Sequence, residues 1–137
     1  MAGPAIEPVR RKPILVALAM GVAAMVAPAT AAPMTGAEIR QAVTGNRIYL
    51  ATPFGGEFPL HFKPNGEVTG DGTALGLGRF AAPRETGRWF IEADRLCHQF
   101  PTWNGGRVSC FTLERTGEST LIWRRTDGRS GRARIDG

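Results

Sequence analysis

The chain has 137 residues, with 17 Lys and Arg against 12 Asp and Glu, a formal net charge of +5 and two cysteines. The 106 residues after position 31 are one domain of ordinary size, able to bury a modest core. Three of the basic residues and one acidic residue fall within the first 31 positions, leaving 14 and 11 in the remainder, a balance that calls for no nucleic-acid partner.

The N-terminal stretch has the grammar of an export signal. Arg10-Arg11-Lys12 forms a positive region, Ile14 to Ala27 an apolar run of 14 residues, and Ala29-Thr30-Ala31 offers small residues for a signal peptidase. A membrane-spanning helix needs roughly 20 apolar residues, so cleavage after Ala31 is expected rather than an anchor, with no transmembrane segment after processing. Lys12-Pro13 fits the twin-arginine consensus poorly, and no lipidation cysteine follows the run. The expected product is a periplasmic or secreted domain spanning residues 32–137.

Thr35-Gly36-Ala37-Glu38 has capping-box spacing, Ile39, Ala42 and Val43 recur at helical intervals, and Gly45 follows as a C′ residue. One helix over about 36–44 is predicted. From Asn46 onward the pattern changes to short β-branched and aromatic runs broken by Gly, Pro, Asn and Asp. Strands are predicted at about 46–51, 58–63, 67–71, 74–80, 87–93, 95–100, 107–114, 119–125 and 129–135. Short links between successive strands imply an antiparallel meander, which must form a barrel or strongly curled sheet to cover its apolar face. Candidate core residues are Ile48, Leu50, Leu60, Phe62, Val68, Phe80, Trp89, Ile91, Leu96, Phe111, Leu113, Leu121 and Trp123. Gly87, beside Trp89, is a candidate for close backbone approach.

In an exported chain Cys97 and Cys110 are expected to form a disulfide. They lie in two strand-like runs joined by Pro101-Thr102-Trp103-Asn104-Gly105-Gly106, and folding that hairpin about Trp103-Asn104 sets one cysteine opposite the other. No CxxC motif suggests redox chemistry, and the spacing is not that of a zinc site.

Together, Thr35-Gly36-Ala37-Glu38-Ile39 with Gly45-Asn46, Phe62-Lys63-Pro64-Asn65-Gly66, Gly87-Arg88-Trp89, Leu96-Cys97 and Cys110-Phe111 resemble a family of small exported alphaproteobacterial proteins known as a domain of unknown function. The resemblance implies export and a β-rich build, and it transfers no catalytic residue.

Chemistry is sparse. His61 and His98 are the two histidines. The hairpin register brings Ser109 opposite His98, but no nucleophile-elbow motif surrounds it. Neither HExxH nor a calcium-loop pattern occurs, and no metal or cofactor is implied. Glu92 and Asp94 share a parity but adjoin a turn, where solvation is the simpler reading. Trp103, at the hairpin tip, either stacks outward on a glycan or partner or folds back over the barrel end. Arg124, Arg132 and Arg134 form a candidate basic patch or a charged, solvated edge. The expectation is a non-enzymatic binding or envelope module for a small apolar ligand, a glycan or an envelope protein. The alternatives are a small hydrolase using His61 or His98, and an inhibitor acting through the 101–106 loop.

Overall fold

The computed structural model of the protein describes residues 3–5, 8–23, 32–53, 55–73 and 83–136. Residues 8–23 form neither helix nor strand, and Ile14, Leu15, Leu18, Met20 and Val22 are 82–90% exposed. The described part of the apolar run therefore adds nothing to the core.

Helix α1, Gly36–Val43, begins where the capping pattern places it: the Thr35 hydroxyl accepts from the Glu38 amide at 3.3 Å. A second tie was not visible locally, since the Gly36 amide donates to Asp94 Oδ1 at 2.7 Å from a distant turn. Asp94 thus belongs to the helix start, not to a carboxylate pair. Beyond the helix, Gly45 has φ 77° and its amide donates to the Phe62 carbonyl at 2.7 Å.

Eight strands follow: β1 Arg47–Ala51, β2 Glu57–Phe62, β3 Glu67–Asp71, β4 Arg84–Glu92, β5 Arg95–Gln99, β6 Ser109–Arg115, β7 Thr120–Arg125 and β8 Ser130–Asp136. Each pairs antiparallel with the next, and β8 returns to β1 with Ile48 opposite Ile135. The sheet is a closed barrel, so none of its eight strands is left as an edge. β4 starts three residues before its predicted position and β6 two residues after, because turn signals locate links better than ladder ends. The strand expected at 74–80, and Phe80 with it, lies outside the described residues.

Alternation selects the inner face. Ile48, Leu60, Phe62, Val68, Trp89, Leu96, Leu113 and Leu121 are buried, while Leu50, Ile91, Phe111 and Trp123 are half-buried against them. Phe100 and Ala133 join this core without having been expected there. At one end Met34, Ile39 and Val43 are 0–3% exposed and plug the barrel, so the short helix gains from packing the stability it lacks alone. Trp89 completes this end: its indole N–H donates to the Lys63 carbonyl at 2.8 Å and its ring meets Phe62 edge-on.

Gly87 does mark a close approach. Its φ is not in the left-handed region, but a Cβ there would overlap the Gln99 carbonyl across the β4–β5 ladder. Gly87→Val is expected to cost about 2 kcal/mol or more by overpacking, read as a lowered midpoint in urea unfolding.

Candidate functional site: the open end of the barrel

Strand direction divides the links between two ends. The helix, the 63–66 and 93–94 turns and the 116–119 link close one end. The opposite end receives the links after β1, β3, β5 and β7. The residues at this second end are built around the hairpin tip between β5 and β6.

Trp103–Gly106 is a tight turn in which Asn104, Gly105 and Gly106 all have positive φ, of 56°, 64° and 72°. Two glycines and an asparagine suit such a run because they tolerate the left-handed region best. The turn aims Asn104 inward. Its Nδ2 donates to Ser109 Oγ at 2.8 Å, and its Oδ1 accepts from Arg125 at 3.3 Å, tying the tip to β6 and β7. Gln99 Nε2 donates to the Gly106 carbonyl at 2.7 Å and holds the far side.

Glu85 fixes the near side. This inward-facing residue is 8% exposed, and its carboxylate accepts from the Thr102 amide at 3.1 Å, the Trp103 amide at 3.2 Å and the Thr102 hydroxyl. Burial works to raise its pKa, but these bonds together outweigh it and hold the carboxyl below its ordinary value of 4.5. A group with a depressed folded pKa stabilises the fold above its unfolded pKa and ceases to do so as pH falls through the folded value. Glu85→Gln is therefore expected to lower stability by about 1–2 kcal/mol at pH 7, roughly 5–10 °C in Tm. Thermal melts should show the gap to wild type closing below pH 4.5.

So anchored, Trp103 folds back over the barrel. Its ring lies on Gly70, where a Cβ would collide with it, and packs at 5.3 Å from Phe58 and 4.7 Å from Phe100. Trp123 lies likewise on Gly131, edge-on to Phe111 at 5.6 Å. Between them is a cavity of about 290 Å³ whose walls include Phe58, Phe100, Phe111, Trp103 and Trp123. It shares Leu50, Leu60, His98, Phe111 and Trp123 with a void of only about 30 Å³ inside the barrel. The interior itself is filled by side chains, as eight strands allow, and space for a ligand exists at the mouth.

His98 faces inward on β5, with its ring 5.0 Å from Phe111 and 5.1 Å from Phe100. Burial above all, and then the Arg125 cation, pushes its pKa down to about 4, so it is neutral at physiological pH. Ser109 is opposite it as the hairpin register requires, but the Ser109 hydroxyl accepts from Asn104, and Glu85 is committed to the 102–103 backbone. His61 faces outward on β2, in a wide polar hollow with Arg47, Tyr49 and Thr69. The two imidazoles are thus on opposite faces of the wall. Among the described residues no group of three His, Cys, Asp or Glu is placed to hold a metal.

Cys97 and Cys110 are directly opposite and disulfide-bonded, in the register derived from the hairpin centre. Arg124, Arg132 and Arg134 share the outer face of β7 and β8, outside the cavity. Arg124 pairs with Glu114 at 2.7 Å; Arg134 pairs with Glu57 at 2.6 Å and covers Tyr49. Only Arg132 of the three lacks a partner among the described residues, which leaves the patch largely neutralised. Arg125 and Glu85 went unnoticed as mouth residues, although parity with Leu121 and Trp123 assigns Arg125 to the inner face. Glu85 lay outside the expected bounds of its strand.

The fold and site define an eight-stranded antiparallel barrel closed at one end by a helix and hollowed at the other. Comparison with protein families, with curated proteins and with solved structures finds no match for the chain. Among the described residues no helix is long and apolar enough to cross a membrane.

Proposed function

We propose that the protein is an exported, non-enzymatic binding module whose open end takes a small apolar ligand. The observation that carries this reading is the aromatic-walled cavity of about 290 Å³ leading into an otherwise filled barrel. Its size lies near the lower end for small-molecule sites, and its combination of apolar walls with a few polar groups is what such sites use. Apolar walls favour a hydrophobic molecule over a glycan. Because Trp103 turns into the mouth and is half-buried there, the geometry favours a ligand over a docked protein partner. Export is supported by the signal-like sequence, by the exposed Ile14–Val22 side chains that the core does not use, and by the disulfide.

Titration with the neutral fluorophore N-phenyl-1-naphthylamine tests the reading. Saturable binding at one site per chain is expected, with a Kd in the micromolar range. Leu50→Trp, which fills the cavity from β1, should abolish it while leaving the far-ultraviolet circular dichroism unchanged. Failure of the folded wild type to bind would overturn the proposal.

A further inference from the structure

Three arginines, Arg107, Arg125 and Arg129, line the cavity, and no carboxylate does so among the described residues. One acid, Asp127, serves two of them, at 3.0 Å from Arg125 and 3.7 Å from Arg129. Arg107 donates through Nε to the Asn104 carbonyl at 3.1 Å, and its two terminal nitrogens have no partner among the described residues. The other acids near this end are committed elsewhere: Glu85 to the hairpin tip, Glu57 to Arg134 and Asp71 to Arg84. Among the described residues the mouth therefore holds more positive charge than its acids compensate, with Asp127 the one acid among three arginines. Deeper in, Trp123 Nε1 is buried without an acceptor among the described residues. Unpaired donors around an apolar hollow are satisfied best by a molecule that brings its own acceptors.

We propose that the ligand of the open end is an anionic amphiphile, its apolar body between Trp103 and Trp123 and its single acidic group held at the rim by Arg107 and Arg129. This rests on the reading of the mouth as an apolar ligand site and adds the charge of the headgroup. Bidentate guanidinium donors suit a carboxylate, and the same charge would repel a cationic amphiphile. The cavity could hold about ten heavy atoms if each takes up roughly the volume of one water, on the order of 30 Å³, which matches a medium-length acyl chain.

The test displaces bound N-phenyl-1-naphthylamine with two ligands of one chain length, decanoate and decan-1-ol, at pH 7.5 and low salt. Decanoate is expected to compete about tenfold more tightly. In Arg107→Gln/Arg129→Gln this preference should disappear, read as the ratio of decanoate to decan-1-ol competition within the same variant. Decan-1-ol competing as well as decanoate, or a preference that survives in the double variant, would overturn the headgroup assignment and leave the apolar site standing. Absence of fluorophore binding would remove both. Arg107→Lys/Arg129→Lys controls for folding: retained preference supports a charge role, and loss of preference in this folded variant as well assigns it to the guanidinium fork.

Discussion

Cys97→Ala/Cys110→Ala is expected to unfold at a clearly lower urea concentration, with a loss of about 3 kcal/mol. The bridge spans 13 positions of sequence and closes the loop that carries Trp103 and Asn104. Its contribution comes mainly through the unfolded chain, which loses conformations when a loop of this length is closed. The ladder on either side does not require it, since Leu96 pairs with Phe111 and His98 with Ser109 across the same two strands. The barrel should therefore form, and the loss should appear in the midpoint. Alanine is the right replacement because Cys97 is 0% exposed, and a serine hydroxyl there would add a burial cost of its own. For a domain whose whole stability is on the order of 5–15 kcal/mol, this is a large fraction. An unchanged midpoint would mean that the strands are not covalently joined in the native protein.

Phe62→Ala should be costlier still, about 3–5 kcal/mol. Phe62 is 1% exposed and sits where the barrel interior meets the helix, edge-on to Trp89 at 5.8 Å. Its backbone is held on both sides: the carbonyl accepts from Gly45 and the amide donates to Asn46. A closed ring of hydrogen-bonded strands cannot easily collapse into the hole, so much of the cavity term should persist. Val108→Ala is the matched control. At 43% exposure, Val108 should lose less than about 0.5 kcal/mol on truncation. Equal costs at the two positions in urea unfolding would contradict the assignment of Phe62 to the core.

Much of this fold is readable from local pattern. Inner residues such as Ile48, Val68 and Leu113 alternate with polar neighbours, and the helix start follows from one hydroxyl and the apolar spacing behind it. The 97–110 register follows from a turn centre alone. Closure does not, because the pairing of Ile48 with Ile135 joins opposite ends of the domain and no local signal encodes it. The mouth was harder for a similar reason. Whether Trp103 points outward or folds back depends on Glu85, which binds the 102–103 amides from another strand, and on the space above Gly70. A large ring beside two glycines is compatible with either arrangement until those distant residues are placed. Likewise, the arginines of the last two strands suit either a basic patch or a solvated edge in sequence, and parity divides them. Arg125 lines the cavity, whereas Arg124, Arg132 and Arg134 face outward.

The three tryptophans report separately on the two ends of the barrel. Trp103 and Trp123 wall the mouth, while Trp89 is at the helix end with its indole N–H on the Lys63 carbonyl. In ¹H–¹⁵N correlation spectra, added N-phenyl-1-naphthylamine should shift the indole signals of Trp103 and Trp123 in a saturable manner and leave that of Trp89 in place. Equal movement of all three signals, or movement of Trp89 alone, would contradict a ligand site at the open end.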